Sequence, residues 1–233
     1  MKWLYDLCDD FLSLLFPRIC YGCGNHLMRN ERVICTECQV VIPRTDYHNQ
    51  PENPVEQLFW GRCMIRKAAA FSYYTRGSRI RKLIHNLKYN GIREIGTELG
   101  SIYGSLLKSS GFLDDIDLII PVPLHPSRER KRGYNQSRVI CEGISAVSGI
   151  EVINDALVRP VKTQTQTRRS RFERWTNVEG IFEVRDTWRL EGKHLLVVDD
   201  VITTGSTVEA CVNELSGVKG ATVSVVALAY AVM

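Results

Sequence analysis

The stretch LLVVDDVITTGSTVEAC, residues 195–211, constrains the possible folds more than any other part of the chain. An apolar run ends in two adjacent carboxylates, Asp199 and Asp200, and a short polar loop then opens a helical pattern. Apolar strands that alternate with helices form parallel sheets, which bind ligands at the carboxyl ends of their strands. The sequence therefore predicts an α/β fold with the acid pair at a ligand-binding edge.

The loop after the acid pair has the composition of a phosphate-binding turn. It contains Thr203, Thr204, Gly205, Ser206 and Thr207. Consecutive backbone N–H groups at a helix N-terminus bind a phosphate dianion, and glycine permits a positive φ or a close approach. Carboxylates beside this turn would repel an anion unless they contact hydroxyl groups. A sugar phosphate satisfies both halves of the motif.

Three other interpretations of this acid-bearing strand fit the sequence less well. A P-loop ATPase would carry GxxxxGK[ST] upstream, and the sequence contains no such motif. A receiver domain would have its acid pair near the start of the domain, whereas residues 199 and 200 lie near the end. A purely structural strand would not need two charged side chains at its buried edge.

The pattern around the motif predicts a parallel sheet covered by helices. The predicted strands are 68–74, 117–124, 194–201 and 221–230, and the predicted helices are 79–90, 94–109, 136–148 and 206–216. A basic loop is expected at 125–132, and a long polar loop at 159–177, where such length usually indicates function. At 44% hydrophobic and 24% charged residues, the chain can bury a core of this kind.

Basic side chains concentrate in two segments, 125–132 and 159–174, although the net charge is only +4. Segments of this kind suit phosphate-bearing ligands or nucleic acid. Two solvated loops would have the same composition. The charge pattern alone leaves both interpretations open.

Four of the eight cysteines form two knuckles, Cys20-x-x-Cys23 and Cys35-x-x-Cys38. This spacing can place four thiolates tetrahedrally around one Zn²⁺. Disulfides and a redox CxxC are the alternatives; disulfides need an oxidising compartment, and a redox pair would begin a helix after a strand. We expect one structural zinc ion, because four protein ligands leave no position for water or substrate.

The amino-terminal residues predict an amphipathic helix over residues 1–18. Its acidic polar face argues against a signal peptide, and it favours packing on the protein over lying on a membrane. We expect a zinc-binding module and connector at 19–66 and the main domain at 67–233. No segment is long enough to span a bilayer, which predicts a cytoplasmic protein; peripheral attachment to the inner membrane face is the alternative.

The 195–211 stretch resembles the phosphoribosyl-pyrophosphate (PRPP) binding motif of type I phosphoribosyltransferases. Nearly the whole chain is similar to the ComF family of competence-associated proteins. Besides the knuckles and the PRPP motif, the marks are LIHNLKYNG at 83–91, IIPVPLHPSRERKRGYNQS at 119–137 and TQTQTRRSRFERWTNVEGIF at 163–182. Many members carry a second cysteine pair, where this chain has only Cys63. The resemblance therefore implies one zinc ion rather than two.

The resemblance also implies residue roles. Asp199 and Asp200 would bind the ribose hydroxyls and serve catalysis, and the loop 203–207 would hold the 5′-phosphate. The turn that binds pyrophosphate would comprise Leu124, His125, Pro126, Ser127 and Arg128. Residues 163–177 match the catalytic lid, in which Arg168 and Arg171 are assigned to catalysis. Mg²⁺ would accompany the substrate.

Two functions follow as hypotheses. The first is an enzyme that transfers ribose 5-phosphate from PRPP to an unknown acceptor. The second is a DNA-uptake factor that contacts single-stranded DNA or partner proteins of the uptake machinery and senses PRPP or nucleotides. Phe172 and Trp175 in the basic lid could stack bases or pack against the closed lid.

Overall fold

The computed structural model describes residues 17–160 and 181–231. Its centre is a five-stranded sheet with the order β1-β7-β6-β2-β3, in which every neighbouring pair is parallel. These strands are β1 (Ala68–Tyr73), β2 (Leu118–Pro121), β3 (Glu151–Val152), β6 (His194–Ile202) and β7 (Thr222–Tyr230). A separate antiparallel pair joins β4 (Leu157–Val158) and β5 (Glu183–Val184).

Seven α-helices lie within the described residues. They are α1 (Thr36–Val41), α2 (Pro54–Gln57), α3 (Arg79–Tyr89), α4 (Glu94–Ser109), α5 (Pro126–Arg132), α6 (Gln136–Ser148) and α7 (Ser206–Ser216). The predicted α/β class is confirmed, and the four long helices begin and end within one residue of the predicted positions. The predicted amino-terminal helix lies largely outside the described residues.

The segment 125–132, predicted as a basic loop, is helix α5, so that prediction was wrong. Pro126 occupies the first helical turn, His125 caps it, and Gly133 ends it with φ 84°. Proline at the start and glycine just past the end are known helix boundaries. The helix was not predicted because it buries no residue and therefore shows no apolar periodicity.

Strand β2 is also shorter than the predicted 117–124, because it ends at Pro121. Val122 still donates a backbone hydrogen bond of 3.0 Å to the Val198 carbonyl on β6. Pro123 has no N–H to continue the ladder. The chain therefore turns away at the carboxyl edge of the sheet, next to the end of β6.

Helices α4 and α6 cross at unusually close range through glycines. A Cβ added to Gly100 would lie 2.4 Å from the Ile140 carbonyl oxygen, and one added to Gly143 would lie 2.3 Å from the Thr97 carbonyl oxygen. Only glycine permits such backbone contact. This crossing fixes α6, whose first turn lies beside the acid pair.

Residues 19–66, called the amino-terminal module below, pack on the sheet. Ile34, Ile42, Val55 and Phe59 are buried in the same hydrophobic cluster as the strands. Within this module, residues 43–45 pair with β1, and α2 follows. No helix in the described parts of the chain has the length and apolar character to cross a bilayer.

Candidate functional site

The acid pair ends the buried run of β6, and its two carboxylates have different surroundings. Asp199 Oδ1 accepts hydrogen bonds from the Ser137 hydroxyl at 3.2 Å and from the Asp200 N–H at 2.8 Å. Asp200 Oδ1 lies 2.8 Å from the Lys88 ammonium on α3. Consecutive side chains on a strand point to opposite faces, so the two acids present their oxygens in different directions.

The environment changes the protonation of Asp199. Burial, together with the negative charge of Asp200, raises the pKa of Asp199 to about 7. Burial disfavours the charged form, and the two hydrogen bonds do not compensate for it. A raised carboxylate pKa of this kind occurs at functional sites more often than elsewhere. Hydroxyl donors from a ligand would stabilise the ionised form.

The loop 203–207, called the TTGST loop below, leads from β6 into α7. The N–H groups of its five residues donate to no acceptor within residues 17–160 and 181–231. Gly205 has φ 74° and precedes the first residue of α7. Asp199 and the TTGST loop line the same small cavity. N–H groups at a helix N-terminus favour anion binding, and the phosphate cradle stays a prediction.

The predicted pyrophosphate turn lies one strand away at the same edge, because β2 pairs with β6. Its residues do not share one cavity. Leu124 and Pro126 line a cavity with Arg159, whereas Arg128 lines a different one with Lys88. His125 and Ser127 are joined to each other, with His125 Nδ1 2.7 Å from the Ser127 hydroxyl.

The second of these cavities is strongly basic and measures about 580 Å³. This basic cavity is lined by Lys88, Tyr89, Asn90, Gly91, Arg128, Lys131 and Arg132. Arg132 lies over the Tyr89 ring at 5.5 Å, and Lys88 links the cavity to Asp200. Among the described residues, no carboxylate pairs with Arg128, Lys131 or Arg132. The cavity thus contains four cationic side chains, and among the described residues only Lys88 has a carboxylate partner. This charge favours an anionic ligand.

Two residues that contact the acid pair in the structure were not predicted as site residues from the sequence. Lys88 and Ser137 each contact one acid, and both lie in segments that carry the family resemblance. Asn135 supports Ser137, since its side-chain oxygen accepts from the Ser137 N–H at 3.1 Å and its amide donates to the Val122 carbonyl at 2.9 Å. Their membership of those segments was the only available signal. Arg168 and Arg171 lie outside the described residues.

The two cysteine knuckles come together as predicted. The ligand atoms of Cys20, Cys23, Cys35 and Cys38 all lie within 4.8 Å of one another. The Sγ atoms of Cys23 and Cys35 are 3.7 Å apart, close to the edge of about 3.8 Å that zinc–sulfur bonds of about 2.3 Å give in a tetrahedron. A Cβ on Gly22 would lie 2.9 Å from Cys38 Sγ, so glycine is needed there. The cluster can hold one metal ion such as zinc.

A parallel sheet whose central strand ends in two acids and an open TTGST loop defines the phosphoribosyltransferase fold, here joined to a four-cysteine module. A family model described as "Phosphoribosyl transferase domain" matches residues 123–231.

Relatives extend the similarity across most of the chain. The DNA utilization protein YhgH of Shigella flexneri is 31% identical over 87% of this chain and 86% of its own length. Competence protein ComFC of Bacillus subtilis is 27% identical over 88% of this chain and 85% of its own. The solved structure of adenine phosphoribosyltransferase from Saccharomyces cerevisiae has a TM-score of 0.40 at 13% identity, covering 83% of this chain and 86% of that one. The chain belongs to the ComF family.

Proposed function

We propose that this protein binds PRPP and transfers its ribose 5-phosphate to an acceptor with release of pyrophosphate. The observation that carries this proposal is the row of five N–H donors beside the acid pair, for which residues 17–160 and 181–231 provide no acceptor. A phosphate dianion accepts from the donors, and ribose hydroxyls donate to the carboxylates. Asp199 and Asp200 thus recognise the sugar, and the TTGST loop recognises its 5′-phosphate.

In the proposed reaction the bond from C1 of the ribose to pyrophosphate breaks as an acceptor atom bonds to C1 and loses its proton. Lys88 and Arg128 line the basic cavity, and Lys88 contacts Asp200, so these two cations would neutralise charge on the departing pyrophosphate. Mg²⁺ carried by PRPP would supply further neutralisation. Arg168, Arg171 and the rest of 163–177 are proposed as a lid that excludes water.

The test of this proposal is pyrophosphate release from PRPP and Mg²⁺ with a panel of bases and amines. We expect release with at least one acceptor, and its loss in Asp200→Asn. Asp117→Asn is the matched control, because Asp117 lies at the opposite edge and accepts from the His194 N–H at 2.8 Å. Equal activity in wild type and Asp200→Asn would contradict the assignment of the site.

The four-cysteine cluster is proposed to hold a structural zinc ion. Metal binding stabilises short segments that cannot bury enough apolar surface by themselves. Metal analysis of purified protein should give about one zinc per chain. Cys20→Ser should lower both the zinc content and the unfolding temperature, whereas Cys141→Ser should leave the zinc content unchanged. Zinc-free wild-type protein with an unaltered unfolding temperature would contradict this role.

The basic cavity favours a second candidate function, contact with single-stranded DNA in the cytoplasm during DNA uptake. Its unpaired cations and exposed Tyr89 suit a nucleic-acid backbone and a base. The relatives' names, DNA utilization and competence protein, support this candidate.

Oligonucleotide binding at several salt concentrations tests this second function. The double variant Lys131→Glu with Arg132→Glu should weaken binding and reduce the salt slope by about 2. Lys108→Glu is the control, since Lys108 lies on α4 and donates to the Val147 carbonyl. An unchanged slope in the double variant would exclude the basic cavity as the DNA contact.

A further inference from the structure

The amino-terminal module contacts the TTGST loop from the outside through one arginine. Arg62 Nη1 donates to the Thr204 carbonyl oxygen at 2.8 Å and to the Leu58 carbonyl oxygen at 3.1 Å. Its Nη2 pairs with Glu209 in the first turn of α7. One guanidinium therefore ties the module, the loop and the following helix together.

Apolar packing supports the same contact. A Cβ added to Gly205 would lie 2.9 Å from Leu58 Cδ2 and 3.0 Å from Phe59 Cε1. Phe59 is fully buried. The loop therefore lies against the module with no space between the Gly205 backbone and these two side chains.

The direction of the Thr204 carbonyl sets the direction of a donor in the loop. In a trans peptide unit the C=O and the following N–H point in opposite directions. Because Arg62 holds the Thr204 oxygen towards the module, the Gly205 N–H points the other way, away from the module. That N–H donates to no acceptor in the described parts of the chain.

A second contact joins the module to the acid pair. Asn86 Nδ2 on α3 donates to the Tyr21 carbonyl in the first cysteine knuckle at 3.1 Å. Two residues further along the same helix, Lys88 pairs with Asp200 at 2.8 Å. The knuckle is thus connected to the acid pair through a rigid helix, independently of Arg62.

We infer that Arg62 is a positioning residue for the sugar-phosphate site: through it, the amino-terminal module holds the TTGST loop in the conformation that presents its N–H groups to a phosphate. This inference rests on the proposed function and adds to it a dependence of phosphate binding on the module. The module is then part of the binding site's framework, and Arg62 acts through the loop backbone that it holds.

The test compares Arg62→Ala with Arg66→Ala in the full-length protein, using calorimetry with ribose 5-phosphate and hydrogen exchange of the TTGST loop. Arg66 is the matched control because its ion pair, 3.5 Å from Asp115, involves neither the loop nor α7. Losing a charge-assisted hydrogen bond to the loop should weaken affinity about tenfold in Arg62→Ala and speed loop exchange. Arg66→Ala should change neither quantity.

Arg62→Lys keeps the charge and one donor, so it should recover part of the affinity, and thermal unfolding reports whether each variant is folded. If Arg62→Ala bound ribose 5-phosphate within twofold of the wild-type affinity and hydrogen exchange of its TTGST loop were unchanged, the inference would be overturned and the proposed function would stand. No binding by folded wild-type protein would overturn the proposed function and the inference together.

Discussion

The polar groups at the two ends of strand β6 differ in how many hydrogen-bond and ion-pair partners they have. At the amino end, Asp115 and Asp117 each lie beside a lysine. Asp115 lies 2.6 Å from Lys67 and 3.2 Å from the His194 ring, whose other nitrogen lies 2.8 Å from the Ser224 hydroxyl. Asp117 accepts from the His194 N–H and lies 3.4 Å from Lys193.

At the carboxyl end of the same strand, the polar groups have fewer partners among the described residues. Asp199 and Asp200 are adjacent acids, and among the described residues only Asp200 forms an ion pair. The TTGST loop leaves five N–H groups without acceptors in the described parts of the chain. Satisfied polar networks stabilise a fold, whereas N–H groups at a helix N-terminus in a largely exposed loop can donate to a ligand. This difference supports the proposal that one end stabilises the fold and the other binds the ligand.

The largest expected effect that could break this comparison is at the carboxyl end. Asp200→Asn should weaken ribose 5-phosphate binding by about 30-fold, because hydrogen bonds to a charged group contribute about 2 kcal/mol. Its free energy of unfolding should change little, since Lys88 is partly exposed and can turn to water. Calorimetry and denaturant unfolding measure the two quantities. If Asp200→Asn lowered the free energy of unfolding without weakening ribose 5-phosphate binding, Asp200 would stabilise the fold and not bind the sugar.

The pH dependence of stability should have opposite signs at the two ends. The pKa of Asp199 is raised from 3.8 to about 7, so the folded state binds more protons than the unfolded state between these values. Stability from this group is therefore lost as pH rises from about 4 to about 7. Asp199→Asn should remove that loss, as denaturant unfolding of both proteins across this range would show.

Groups at the amino end act in the other direction. The His194 N–H bond lowers the pKa of Asp117, and contact with Lys67 lowers the pKa of Asp115 although partial burial opposes it. Their contribution is present above the ordinary value of 3.8 and is lost as pH falls below it. If wild type and Asp199→Asn showed the same profile between pH 4 and 7, Asp199 would not carry a raised pKa.

The smallest expected effect is at the amino end itself. Asp115→Asn should lower the free energy of unfolding by about 1 kcal/mol, because the ion pair with Lys67 is partly exposed and screened. Ribose 5-phosphate affinity should stay within twofold of wild type. A weaker affinity in this variant would mean that the amino end contributes to binding, and the comparison would no longer hold.

Elements with a buried face were predictable from the sequence. The helix predicted at 79–90 runs Arg79–Tyr89, because Ile80, Leu83, Ile84 and Leu87 give it a buried stripe. Helix α5 was missed because it has no such stripe, although Pro126 and Gly133 marked its ends. Apolar periodicity predicts the helices and strands that bury one face, whereas an exposed helix such as α5 is indicated only by the residues at its ends.

The candidate site was predictable only where its residues are neighbours in sequence. The acid pair and the TTGST loop form one contiguous motif, so the sequence predicted that Asp199 and Thr203 lie close together. Lys88 reaches Asp200 across 112 positions and Arg62 reaches Thr204 across 142, contacts that only the folded chain reveals. No local spacing or propensity encodes such long-range pairs.

Titration of folded wild-type protein with PRPP in the presence of Mg²⁺, followed by calorimetry, tests the central claim most directly. The account predicts saturable one-to-one binding that inorganic phosphate and ribose 5-phosphate both compete away and that Asp199→Asn weakens. Absence of heat at any PRPP concentration, from protein with a cooperative unfolding transition, would contradict it.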